Sequence, residues 1–123
     1  MFEKSLLKNK TVIITGGGTG LGKSMAKRFG VLGAKLSICS RRKEVIDSAV
    51  QELKETGAEV LGLQCDVRSG EEVKRMINET VSTLGPVNVL LNNAAGNFIS
   101  PTERLSENAF RTIVDIVLTG TFN

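Results

Sequence analysis

Four times in succession a short apolar, largely β-branched run gives way to a segment with helical periodicity. TVIIT (Thr11 to Thr15) opens the series. AKLSICS (Ala34 to Ser40), AEVLGLQCD (Ala58 to Asp66) and VNVLLN (Val87 to Asn92) follow. A run that is apolar on both faces belongs to a strand covered on both sides. After the first run, Leu21, Met25, Phe29 and Leu32 fall on one helical face, with Gly33 placed as a C-terminal stop. After the second, Lys43 to Thr56 sets Val45, Ile46, Ala49, Val50 and Leu53 at helical spacing, and Gly57 ends it. After the third, Ser69 to Leu84 aligns Val73, Met76, Ile77 and Val81, with Gly85-Pro86 as the stop. A loop containing Pro101 follows the fourth run. A last amphipathic helix starts near Ser106 and runs to the end, its face marked by Ala109, Ile113, Ile116 and Val117.

Strands alternating with helices pair in parallel through right-handed crossovers. The expectation is an α/β, doubly wound parallel sheet, Rossmann-like, of form β-α-β-α-β-α-β-α and strand order 3-2-1-4. No second domain, internal repeat or low-complexity tract interrupts the 123 residues.

Composition removes several function classes. The net charge of +3 is small and its lysines and arginines are scattered, which argues against nucleic acid as a partner. No apolar stretch approaches the ~20 residues of a membrane span. The start, MFEKSLLKNK, resembles neither a signal nor a transit peptide, so a cytoplasmic location is expected. The two cysteines, Cys39 and Cys65, form no zinc pattern and read as reduced core residues; no metal site is expected. With no histidine and no tyrosine, triad catalysis and phenol chemistry are excluded within this chain.

TGGGTGLG (Thr15 to Gly22) sits between the first strand and the first helix. Glycines there permit a sharp turn and close backbone approach to a diphosphate, and the helix N-terminus offers free N–H groups. The spacing Gly16-x-x-x-Gly20-x-Gly22 differs from G-x-G-x-x-G, and a tight turn without a ligand is the bland alternative. At the end of the second strand an acid would bind the ribose 2′-hydroxyl of NAD. This chain has Ser40-Arg41-Arg42 instead. A guanidinium grips a 2′-phosphate that a carboxylate would repel, which favours NADPH/NADP+, with Arg41 the better placed; the alternative is a solvated helix entry. Asp66 ends the third strand, where it is either an acceptor for the adenine amino group or a simple turn residue or N-cap.

TGGGTGLG, CDV and NNAAG together resemble the short-chain dehydrogenase/reductase family, in order and at appropriate spacing over nearly the whole chain. Within it, QCDVR followed by NNAAGNFISPTERLS is similar to the branch of NADPH-dependent 2,4-dienoyl-CoA reductases of unsaturated fatty acid β-oxidation. The resemblance implies that Gly16, Gly17, Gly18, Thr19, Gly20 and Leu21 line the pyrophosphate. It implies that Ser40, Arg41, Asp66, Val67, Asn93 and Ala94 complete the cofactor site. Arg41, Arg68, Phe98 and Ser106 would meet the acyl-CoA substrate. Asn97 would be catalytic, donating a hydrogen bond where negative charge develops on the thioester oxygen as hydride reaches the far end of the diene. Without the resemblance Asn97 is a polar loop residue, and Asn92 and Asn93 are ties between loops.

Many relatives carry an asparagine in the helix before T-G-T-F. The aligned position here is Val117, a departure the dienoyl-CoA branch shares. The family's Tyr-x-x-x-Lys pair and its later strands would lie beyond Asn123. Residues 1–123 are therefore expected to be the N-terminal, dinucleotide-binding part of one reductase domain. They would be inactive alone, with the fourth strand as a bare edge and a homo-oligomer, a tetramer, formed only by the full-length protein. The alternatives are another short-chain oxidoreductase, acting on a trans-2-enoyl-CoA or 3-oxoacyl substrate, a non-catalytic NADP-binding module, or a chain that does not fold stably.

Overall fold

A computed structural model describes residues 2–123. It is a four-stranded parallel sheet in the order β3-β2-β1-β4, flanked by helices on both faces. The elements are β1 (Thr11–Thr15), α1 (Gly20–Val31), β2 (Lys35–Ser40), α2 (Lys43–Lys54), β3 (Val60–Gln64), α3 (Gly70–Leu84), β4 (Val87–Leu91) and α4 (Glu107–Val114). The expected alternation and strand order are both present. β1 has the predicted bounds, β2, α2, α3 and β4 each lose a residue or two at one end, and β3 loses two at each end, where its flanks turn into the adjoining loops.

β1 is the central strand and all five of its residues are buried. It pairs with β2 from Thr11↔Lys35 to Thr15↔Cys39, and with β4 through Val12↔Val89 to Ile14↔Leu91. Strand alternation splits its side chains between two cores. Val12 and Ile14 join Leu36, Ile38, Ala26, Ile46, Ala49 and Leu53 beneath α1 and α2. Ile13 joins Cys39, Cys65, Val73 and Met76 beneath α3.

Two helical faces differ from the periodicity. In α1 the buried residues are Gly22, Ala26 and Gly30, not Leu21 and Met25. Leu21 is 77% exposed. Small residues win because α1 lies hard against its surroundings: a Cβ on Gly30 would come within 2.5 Å of Thr56 Oγ1. Phe29 packs at the edge of the first core, and Leu32 is buried just past the helix, with Gly33 following at φ +93°.

In α3 the buried line is Val73, Met76, Thr80 and Leu84, while Ile77 and Val81 are exposed. A hydroxyl explains the change: Ser37 Oγ and Thr80 Oγ1 are 2.7 Å apart, and Thr80 donates onward to the Met76 carbonyl at 2.9 Å. The Ser37 hydroxyl therefore donates to Thr80, and β2 and α3 meet through a satisfied buried polar pair.

The last helix is not continuous. α4 begins with Ser106 as its cap, the side chain accepting from the Ala109 N–H at 3.2 Å. It then widens into a π turn at Asp115–Thr119 before a final turn at Gly120–Phe122. Of its expected face only Ile116 is buried, and Val117 is exposed. β4 is an edge strand among the described residues, with Val89 and Leu90 exposed. Among the described residues, no helix is long and apolar enough to cross a membrane.

Candidate nucleotide-binding site

The chain leaves β1 for α1 and later returns to β4 on the other side of β1. The carboxyl ends of β1 and β4 therefore diverge, the switch point where doubly wound sheets bind ligands. Thr15 and Asn93 hold this junction. The Thr15 hydroxyl accepts the N–H groups of Asn93 and Ala94, each at 3.0 Å. The Asn93 Nδ2 donates to the carbonyls of Thr15 and Gly16, at 3.0 and 3.2 Å. The Gly16 N–H donates to the Cys39 carbonyl at 2.8 Å. One turn is thus tied to three strands.

Two glycines are dictated by this tie. Gly16 has φ +66°, and a Cβ on it would lie 3.0 Å from Asn93 Nδ2 and 3.1 Å from Ala94 Cα. A Cβ on Gly22 would strike both Asn93 Nδ2 and the Gly16 carbonyl. Gly17 and Gly18 face elsewhere: a Cβ on the former would meet Ile38 Cγ2 at 2.7 Å, and on the latter Val45 Cγ1 at 2.8 Å.

Above the turn lies a cleft of about 360 Å3, lined by residues from every strand end. Gly16, Thr19, Gly20, Leu21 and Gly22 form its floor. Ser40, Arg41 and Arg42 close it at β2, Asp66 and Val67 at β3, and Asn93 and Ala94 at β4. Thr19 precedes α1 in an extended conformation, with no side-chain cap and no acid in the first helical turn. The first N–H groups of α1 are free of any capping side chain, which suits an anion.

Arg41 and Arg42 are exposed at the rim, and neither pairs with a carboxylate among the described residues. Ser40 Oγ accepts the Arg42 N–H at 3.2 Å, and Gln64 Nε2 donates to the Arg41 carbonyl at 2.8 Å, so the β2 end is braced from both sides. Asp66 is gripped by Arg68: Nη2 reaches Oδ2 at 2.6 Å and Nε reaches Oδ1 at 3.0 Å. This hydrogen bonding holds the Asp66 carboxyl below its ordinary range, against a smaller opposing effect of burial.

Cys39 and Cys65 are free and buried in the cleft wall. The neighbouring Cys65 thiol, with burial, pushes the Cys39 thiol far above its ordinary range, so it stays protonated.

The structure thus brings Gly16, Thr19, Gly20, Leu21, Ser40, Arg41, Asp66, Val67, Asn93 and Ala94 to one cleft. Arg68, Asn97, Phe98 and Ser106 do not line it. Arg68 faces Asp66, the Asn97 Oδ1 accepts the Phe98 N–H at 2.8 Å in an exposed loop, Phe98 is half-exposed, and Ser106 caps α4. Thr15, Arg42, Val45 and Ile116 belong to the junction or the cleft without having been singled out as ligands. Thr15 and Arg42 stand beside the motifs. Ile116 arrives from the far end of the chain, and no local pattern signals it.

A sequence pattern described as short chain dehydrogenase matches residues 10–123. The chain is 42% identical over 122 residues to a peroxisomal 2,4-dienoyl-CoA reductase of Arabidopsis thaliana, covering 99% of this chain and 41% of that one. It is 41% identical over 116 residues to a probable 2,4-dienoyl-CoA reductase of Bacillus subtilis, covering 94% and 46%. It is similar in structure to a short chain dehydrogenase from Bacillus anthracis, with TM-score 0.88 and 44% identity over 93% of this chain and 47% of that one. A citronellol catabolism dehydrogenase of Pseudomonas aeruginosa superposes with TM-score 0.91 at 32% identity, covering 99% and 50%. The chain spans less than half the length of the curated relatives it matches.

Proposed function

The chain belongs to the short-chain dehydrogenase family, and on that premise we propose that it is the nucleotide-binding part of a longer NADPH-dependent reductase. The reaction is hydride transfer from NADPH to an acyl-CoA thioester, first of all a 2,4-dienoyl-CoA. One observation carries the cofactor choice. The cleft joins an uncapped helix N-terminus to two rim arginines that have no carboxylate partners among the described residues. The first suits a pyrophosphate and the second a 2′-phosphate.

In this proposal Gly16, Thr19, Gly20 and Leu21 approach the pyrophosphate, while Gly17 and Gly18 let the turn pack against Ile38 and Val45. Gly16 and Gly22 fit that task, since side chains there would collide with Asn93. Arg41, seconded by Arg42 and Ser40, takes the 2′-phosphate. Asp66 accepts from the adenine amino group, and Val67, Asn93 and Ala94 border the nucleoside. Arg68 meets the CoA phosphates, Phe98 and Ser106 the acyl thioester, and Asn97 donates to the thioester oxygen as it gains charge. NADPH supplies the hydride when bound, while these residues bind, orient and stabilise charge. The protein contains no tyrosine within these residues, so the phenol that serves as proton handler in this family is not among them.

The dienoyl-CoA substrate is supported by relatives whose names state that activity. The fold alone does not choose it, since the structurally similar dehydrogenase of citronellol catabolism shares the same sheet. A full-length protein offered dienoyl-CoA, trans-2-enoyl-CoA and 3-oxoacyl-CoA with NADPH is expected to consume the dienoyl thioester fastest. Preference for either of the others reassigns the substrate. The 123-residue chain alone is expected to bind NADPH and not turn over; reduction of a dienoyl-CoA by it sinks this division of labour. NADPH binding with no turnover of any acyl-CoA by the full-length protein would favour a binding module.

A further inference from the structure

The contact between Asp66 and Arg68 bears on the arginines across the cleft. Asp66 lines the cleft at the end of β3. Arg68 engages both of its carboxylate oxygens: Nε lies 3.0 Å from Oδ1 and 3.1 Å from Oδ2, and Nη2 lies 2.6 Å from Oδ2. The Arg68 backbone N–H adds a bond to Oδ1 at 3.0 Å. Arg41 is near enough to favour the charged form of Asp66 electrostatically. Even so, Arg41 pairs with no carboxylate among the described residues. The neighbouring acid, Glu72, turns its Oε2 to the Asp66 N–H at 2.8 Å.

A carboxylate at the mouth of a phosphate site does two kinds of harm. It repels the phosphate, and it competes for the guanidinium meant to hold it. Building on the NADPH assignment, we propose that Arg68 is a specificity-determining positioning residue: by occupying both Asp66 oxygens it leaves Arg41 uncommitted for the ribose 2′-phosphate. Without Arg68, the Asp66 carboxylate turns to Arg41, and the 2′-phosphate loses its ligand to a rival inside the protein. An unphosphorylated ribose does not meet that rival. Arg68 also uses only one edge of its guanidinium on Asp66, and its Nη1 makes no hydrogen bond within the described residues. It can therefore keep this role while its other edge faces a second anion.

The probes are 2′,5′-ADP and 5′-AMP, titrated calorimetrically into the full-length protein, with far-UV circular dichroism confirming the fold of each variant. The native protein is expected to prefer 2′,5′-ADP. Arg68→Ala is expected to weaken 2′,5′-ADP about tenfold or more, the scale of one charge-assisted hydrogen bond. It should weaken 5′-AMP by less than about threefold. Asp66→Asn combined with Arg68→Ala removes the rival charge but keeps an acceptor for adenine, and is expected to restore 2′,5′-ADP affinity. Arg68→Lys, which keeps the charge and loses the two-pronged grip, should fall between. Equal loss of both ligands, no loss of either, or failure of the double variant to recover would overturn the role of Arg68 while leaving the NADPH assignment intact. No preference for 2′,5′-ADP in the native protein would instead overturn that assignment and this inference with it.

Discussion

At Thr15 one hydroxyl accepts two backbone N–H groups from the segment that follows the neighbouring strand β4, and no other residue type at that position offers the same acceptor on so short a stem, serine excepted. Thr15→Ala leaves the Asn93 and Ala94 donors unpaired at the cleft floor. A loss of about 1–3 kcal/mol is expected from the urea midpoint, with Thr15→Ser recovering most of it. Gly22→Ala tests the neighbouring constraint. The added methyl meets Asn93 Nδ2 and the Gly16 carbonyl, so overpacking should cost about 1–3 kcal/mol. It should also weaken NADPH and NADH alike, since it shifts the turn beneath the shared pyrophosphate. Asp66 carries a pH signature. Its folded-state pKa is depressed, chiefly by the Arg68 hydrogen bonds, so the unfolded chain binds the proton first on acidification. The pair's contribution is complete above the ordinary carboxylate pKa of 3.8 and is lost as pH falls through the lower folded value. Acid titrations of stability should therefore be shallower in Arg68→Ala than in the native chain.

Among the elements, α3 offers the clearest test of packing. Its helical existence, its Ser69 cap and its Gly85 stop are all written locally, and its buried face is not. Apolar spacing points to Ile77 and Val81, whereas Thr80 is fully buried because Ser37 on β2 waits for it. A buried hydroxyl pair is invisible to any count of apolar residues, since each member looks like a surface residue until its partner is known. Thr80→Val should cost about 1–3 kcal/mol by stranding the Ser37 hydroxyl, and adding Ser37→Ala should return much of it. The same limit explains α1, where tight approach selects Gly22, Ala26 and Gly30 and pushes Leu21 outward. By contrast, the glycine turn, the rim arginines and the NNAAG segment were legible because each is a contiguous string at a strand end. The ligands expected from resemblance beyond Gly96 lie on a loop that no strand end fixes, which is why Asn97 and Phe98 do not join the cleft.

At the scale of the molecule, the sheet ends in two edge strands that differ in cover. β3 keeps four of its five residues half-buried, whereas the middle three residues of β4 are exposed. Around β4, Leu90 is 55% exposed, and Ile77, Val81 and Val89 are exposed near it or on the helix beside it. An apolar edge strand with unpaired backbone groups is a template for association. Sedimentation of the isolated chain should show concentration-dependent self-association. Leu90→Lys should reduce it while leaving the circular dichroism unchanged, because that side chain is not part of either buried core. Association that persists undiminished would place the sticky surface elsewhere.

The Thr15 latch also sets a time order. Its partners lie seventy-eight and seventy-nine residues along the chain, so the bonds close a loop that takes in β2, β3 and their helices. Closing so long a loop, like the β1–β4 pairing beside it, carries a larger entropy cost than the crossovers that pair β1 with β2 and β2 with β3. The nucleotide cleft should therefore be among the last regions to become protected when the chain refolds. The amide protons of Asn93 and Ala94 are its natural clock, and their slowing in pulsed hydrogen exchange would mark the moment at which the protein first becomes able to hold a dinucleotide.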